Sequence, residues 1–208
     1  MKKFFTFLCA VTLVLGLVSS VSALTISFQY GDQDGMGING LTAGDTFDFH
    51  NVSADSNDAG TITDTWMHGN QTWTQQYDIT GLGAITAASF EIATGGQGWR
   101  GLTKLYIDGV YAGTLTDGDY YSGGSSLNNH YQIDTFDLIN IGIPLTGSIL
   151  TLQTDHYYSS GDGWALDYSL LTLSGDNTAP VPEPSTILLM GIGLLGLVGY
   201  SRKRSKKS

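Results

Sequence analysis

The chain has 208 residues, with 19 acidic and 9 basic side chains and a formal charge of −10 at pH 7. Seven of the basic residues lie in the first three and last seven positions, so residues 24–180 keep only Arg100 and Lys104 against eighteen acids, a formal charge of −16. Such a surface repels nucleic acid and anionic lipid, and Cys9, the only cysteine, leaves no disulfide framework to staple the fold.

The N-terminus reads as an export signal. Met1-Lys2-Lys3 is a basic leader, residues 4–18 are apolar, and Val21-Ser22-Ala23 is a small-residue cleavage box. Residues 1–23 are therefore predicted to be a signal peptide cut after Ala23. Cys9 sits inside the apolar stretch after Leu8, not at its end after a small residue, which argues against lipidation.

Residues 24–175 are predicted to form one domain, long enough for a real core. The segment has no sustained 3.6-residue period. Short alternating runs between Gly, Asp and Asn turns predict an all-β antiparallel sandwich of jelly-roll type. Residues 24–30 alternate as a first strand, and residues 31–44 form a Gly/Asp loop. Residues 46–50 are a short strand, followed by an irregular polar stretch. Residues 72–79 place Trp73, Gln75, Tyr77 and Ile79 on one face, and residues 85–93 make another strand. Residues 102–115 read as a hairpin turning at Asp108-Gly109, a strong two-residue turn signal. Residues 131–138, 148–154 and 164–173 complete the set.

Residues 176–184 form a linker carrying Pro182-Glu183-Pro184, where two prolines keep the backbone extended. Residues 185–201 are predicted to be a transmembrane helix and residues 202–208 a basic cytoplasmic tail. The sixteen residues 185–200 rise about 24 Å as a helix, short of a bilayer core of roughly 30 Å. Snorkelling Lys and Arg side chains extend the span, and five basic residues among the last seven hold that end inside. Gly191, Gly193 and Gly196 spell the dinucleotide fingerprint, but only 12 residues follow, too few for the strand that motif requires.

This three-part tail resembles the PEP-CTERM sorting signal of Gram-negative bacteria. The resemblance implies export, inner-membrane anchoring, and processing at Pro182-Glu183-Pro184 by exosortase, a membrane protease-transpeptidase. It also implies delivery to the cell surface or the exopolysaccharide-rich extracellular matrix. The closing segment of the body, residues 162–173, resembles the last strand of galactose-binding-like jelly rolls, which include many carbohydrate-binding modules.

Seventeen of the body's eighteen acids are Asp, a residue of turns and of short-range oxygen ligation. Asp32-Gln33-Asp34-Gly35 places carboxylates at alternate positions before a glycine, as calcium loops do, although the EF-hand spacing fails. The alternative is an ordinary Asx/Gly turn. Asp162 and Asp167 flank Trp164. In modules of the resembled type the first and last strands lie together and share a structural calcium, which implies that Asp32 or Asp34 meets Asp162 or Asp167. The alternation also predicts Trp164, Leu166, Tyr168 and Leu170 as core.

The four histidines show no zinc spacing. Trp66, Trp73, Trp99, Tyr120 and Tyr121 read either as a sugar-stacking platform or as core. Tyr157 and Tyr158, beside Ser159-Ser160-Gly161, read as an exposed carbohydrate-binding pair. No motif with known catalytic mechanics occurs, so no catalytic residue is assigned. The expected protein is a non-catalytic, calcium-stabilised surface or matrix component. The alternatives are a lectin-like module for exopolysaccharide and a glycan-active enzyme.

Overall fold

The alternating segments fold into two antiparallel sheets laid face to face, in a computed structural model that describes residues 23–97, 102–118, 129–156, 163–177 and 191–193. Leu24–Asp176 make up one structural unit, and the chain ends belong to another. In chain order the strands are β1 (Ala23–Gly31), β2 (Thr46–Phe47), β3 (Met67–His68), β4 (Thr72–Gln76) and β5 (Leu82–Gly95). They continue with β6 (Lys104–Ile107), β7 (Val110–Thr114), β8 (Asn129–Asp137), β9 (Ile149–Asp155) and β10 (Gly163–Asn177). A 3₁₀ turn spans Phe49–Asn51, and one short helix, α1, spans Leu138–Ile141. The larger sheet runs β1-β10-β5-β8-β2, with β3 also on β10, and the smaller runs β4-β9-β6-β7.

Period-two alternation explains the smaller sheet. β4 and β9 pair from Thr72↔Gln153 to Gln76↔Ile149. Trp73, Leu150 and Leu152 point inward while Thr72, Thr74, Thr151 and Gln153 face water. The inward set packs on Phe90, Ile92, Trp164, Leu166, Leu171 and Leu173 of the larger sheet. The buried Trp164 indole keeps its N–H satisfied by donating to the Gly69 carbonyl at 3.1 Å. The predicted hairpin is β6–β7. Asp108 and Gly109 both take positive φ, 50° and 78°, as a two-residue turn matched to strand twist demands.

Strand β10 lies between β1 and β5, so the first and last strands are neighbours. Its alternation slips by one residue. Trp164 and Leu166 enter the inter-sheet core, and Ser169 donates to Gln75 of β4 at 2.8 Å. Between them Asp167 and Tyr168 both reach the opposite face, as a bulge allows. Trp164, Leu166 and Tyr168 are buried as expected and Leu170 is half-buried, but Tyr168 and Leu170 lie on the other face from Trp164. They join a second apolar cluster with Met36, Phe47, Ala93, Tyr131 and Ala165.

The predicted signal peptide up to residue 22, the Pro-Glu-Pro segment and most of the predicted helix over residues 185–201 lie outside the described residues. Among the described residues no helix is long and apolar enough to cross a membrane.

Candidate metal centre

β1 ends at Gly31, where no other residue fits. Its φ is +76°, and a Cβ there would stand 2.4 Å from the Asp167 carbonyl oxygen and 2.4 Å from the Thr63 methyl. The chain then turns, bringing Asp32 and Asp34 beside β10. A left-handed run at Gly35 (80°), Met36 (62°) and Gly37 (74°) curls the loop back. The Gly37 amide donates to Asp34 Oδ1 at 2.7 Å, and the Met36 amide donates to Asp167 Oδ1 at 3.1 Å. Asp64 arrives from the far end of this excursion, also with positive φ (54°), and its amide donates to the Leu166 carbonyl at 2.8 Å.

Four carboxylates therefore converge. One oxygen each from Asp32, Asp34, Asp64 and Asp167 lies within 4.8 Å of the others. Calcium binds oxygen at 2.3–2.6 Å, so opposed ligands around it stand about 4.6–5.2 Å apart. Asp64 is 1% exposed and Asp167 fully buried. Asp167 is held on both oxygens, its Oδ2 accepting from the Tyr131 hydroxyl at 2.5 Å. Asp64 is the opposite case. Neither of its oxygens, nor Asp32 Oδ1, is reached by any hydrogen-bond donor among the described residues. A buried carboxylate without donors is unfavourable unless a cation or a proton answers it.

The electrostatics follow. Burial first, then the charges of Asp167, Asp34 and Asp58, push Asp64 up to about 9. Burial raises Asp167 to about 6 against the lowering effect of its bonds from Tyr131 and Met36. Burial also raises Asp32, and burial beside Asp167 raises the Tyr131 hydroxyl. A divalent cation at the centre would invert this logic and favour all four ionised forms. The oxygens without donors and the all-carboxylate set thus fit a hard oxygen-seeking ion.

A second acidic group, Asp32, Asp55 and Asp58, differs. Thr63 Oγ1 donates to Asp58 Oδ1 at 2.6 Å, the Asp55 amide donates to Asp58 Oδ2 at 3.0 Å, and Asn57 Nδ2 reaches Asp32 Oδ2 at 3.2 Å. These acids are largely answered by protein donors.

Of the residues singled out in the sequence, Asp32, Asp34 and Asp167 come together, and Asp162 lies outside the described residues. Asp64 was not singled out, because no local spacing marks it and only the return of the excursion brings it in. Trp73 is core, and Trp66 stacks on Phe49 with centroids 4.8 Å apart. Trp99, Tyr120, Tyr121, Tyr157, Tyr158, Pro182, Glu183 and Pro184 lie outside the described residues. The acidic groupings among the described residues contain no histidine.

Comparison with known proteins locates the tail. Residues 180–204 match the PEP-CTERM protein-sorting motif. No curated protein matches the chain. Among solved structures, the CBM35 from Cellvibrio japonicus Abf62 is similar at TM-score 0.31 and 15% identity, over 75% of this chain and 99% of that one. The CBM36-1 domain of a multidomain xylanase from the hindgut metagenome of Trinervitermes trinervoides is similar at TM-score 0.28 and 15% identity, over 76% and 100%. Dimeric latent PorU from Porphyromonas gingivalis is similar at TM-score 0.39 and 10% identity, over 74% of this chain. The chain spans 13% of PorU and 20% of the Bacteroides plebeius beta-porphyranase BpGH86A. The PEP-CTERM motif implies export, sorting to the membrane or surface, and processing by exosortase.

Proposed function

We propose that the body is a non-catalytic, calcium-stabilised β-sandwich that the PEP-CTERM tail delivers to the cell surface or extracellular matrix. One observation carries the metal reading: Asp64, buried among three other carboxylates, has no donor on either oxygen. Calcium, when bound, supplies the positive charge those oxygens lack. Asp32 and Asp34 would hold it from the end of β1, Asp167 from β10 and Asp64 from the returning excursion. Tyr131 and the Met36 amide orient Asp167 for that task. The acidic body, with no disulfide available, suits a role in which a bound ion braces the fold.

Calorimetric titration of the exported protein with calcium, after EDTA treatment, tests the reading. One saturable site is expected, lost in Asp64→Ala and kept in Asp78→Ala, whose carboxylate is exposed and bonds only locally to Thr80. Absence of binding at about 1 mM calcium, the range of extracellular modules, would overturn it.

A further inference from the structure

Between β1 and β3 the chain makes a long excursion whose only regular elements are β2 and the 3₁₀ turn at Phe49–Asn51. Much of its hydrogen bonding is local: Asp34 with Gly37, Asp45 with Thr42, Asp48 with His50, Asp58 with Asp55. It nonetheless carries an apolar underside. Met36 and Phe47, with Ile38, Leu41, Phe49 and Val52, lie over Ala93, Tyr131, Ala165 and Tyr168 on the face of the larger sheet turned away from the main core.

Near its return Ile62 stays with the sandwich, its amide donating to the Tyr30 hydroxyl at 3.1 Å and its side chain packing on the main core; the rest of the excursion is fastened in two places. Its middle pairs with β8 through two residue pairs, Thr46↔His130 and Phe47↔Asn129, with further backbone bonds between Gly44, Asp45 and Tyr131. Its base is the acidic centre, where Asp32 and Asp34 enter, Asp64 leaves, and all meet Asp167. Asp32, Asp34 and Asp167 repel one another there, and the buried Asp64 carboxyl, with no donor to either oxygen, gains from reaching water. The two main sheets share no such conflict, because their contact is the large apolar cluster.

We propose that residues 32–64 are a cation-latched flap, closed over the larger sheet when the ion joins its two ends and open without it, while the two-sheet sandwich stays folded. The proposal rests on the calcium reading of the same four carboxylates. A segment held mainly by its base and a small satellite cluster is the kind that opens locally at low free energy. Ion binding only to the closed form then governs that opening by mass action. A protein threaded out of the cell would close its flap on meeting extracellular calcium, covering Ala93, Tyr131, Ala165 and Tyr168.

Hydrogen–deuterium exchange of the exported protein in EDTA and in calcium, with calorimetry on the same samples, tests this. The Gly44 and Asp64 amides, which bond across to Tyr131 and Leu166 of the larger sheet, are the reporters. Their protection should rise about 100-fold at a calcium concentration near 100 times Kd. Amides of β4, β6 and β9 should not change. In Asp64→Asn the flap amides should be protected in EDTA as well, because the conflict at the base is relieved. Equal gains across both sheets, or no gain despite bound calcium, would overturn the latch and leave the metal site standing. Absence of calcium binding would overturn both.

Discussion

Replacing Asp64 by Asn separates a metal centre from accidental acidic packing, because the change acts in opposite directions with and without calcium. In the metal-free protein Asp64 is raised from 3.8 to about 9. At pH 7 the folded chain therefore holds a proton that the unfolded chain has released. The gap from the unfolded value is about 3 pH units, or about 4 kcal/mol at 1.36 kcal/mol per unit. Asn has the same shape, carries no charge and accepts the positive φ of this position. Asp64→Asn should thus stabilise the metal-free protein by up to about 4 kcal/mol. Calcium at about 100 times Kd should add about 2.7 kcal/mol to the wild type and much less to the variant, which has lost one of four carboxylates. For a domain of this size 1 kcal/mol moves Tm by about 2–4 °C, so the wild-type midpoint should rise about 5–11 °C on adding calcium. Scanning calorimetry in EDTA and in calcium gives all four midpoints. A variant that melts below the wild type in EDTA, or that keeps the full calcium response, would refute the reasoning.

The same groups set a pH dependence. With Asp64 raised to about 9 and Asp167 to about 6, the metal-free fold binds more protons than the unfolded chain between those values and 3.8. Its stability should therefore fall from pH 5 to pH 9 in EDTA, and the fall should shrink in calcium; urea midpoints rising over that window in EDTA would contradict this. Gly31→Ala adds a Cβ 2.4 Å from the Asp167 carbonyl at φ +76°, whereas Gly81→Ala at φ +93° meets nothing within 4 Å. The second should cost about 1–2 kcal/mol for the left-handed backbone alone, and the first clearly more, with weakened calcium binding. Equal losses by denaturant titration would show that the close approach is soft. Changing Pro182, Glu183 and Pro184 together to Ala should leave export intact and the tail attached, so the mass of the exported chain should increase; an unchanged mass would remove that motif from processing.

Local chemistry carried much of the architecture. The Asp108-Gly109 hairpin was readable because two adjacent positive-φ residues are needed wherever strands reverse in two residues. The strands of the smaller sheet were readable because one of their faces is wet, so Trp73, Leu150 and Leu152 alternate cleanly with Thr and Gln. β10 was harder. It is covered on both faces over much of its length, so every residue from Gly163 to Ser169 is buried and periodicity cannot show where the register slips. That slip turns Asp167 and Tyr168 to the same side and separates Tyr168 and Leu170 from the core face expected for them. The short strand β3 needed its tertiary partner, since a two-residue pairing leaves no periodic trace, and of the strand expected over residues 46–50 only Thr46–Phe47 pairs, the chain turning into a 3₁₀ turn at Phe49–Asn51.

By itself the sequence determined the tripartite tail, the mostly β character, the disulfide-free acidic body and the pair Asp32 and Asp34, because each rests on residues adjacent in the chain. Only the tertiary structure decided that Asp167 turns toward that pair and that Asp64, about thirty residues beyond it, completes the set. Carboxylates can be gathered from three distant segments without any sequence spacing to announce it, since the folded backbone, here closed by Gly31 against the Asp167 carbonyl, fixes where they meet.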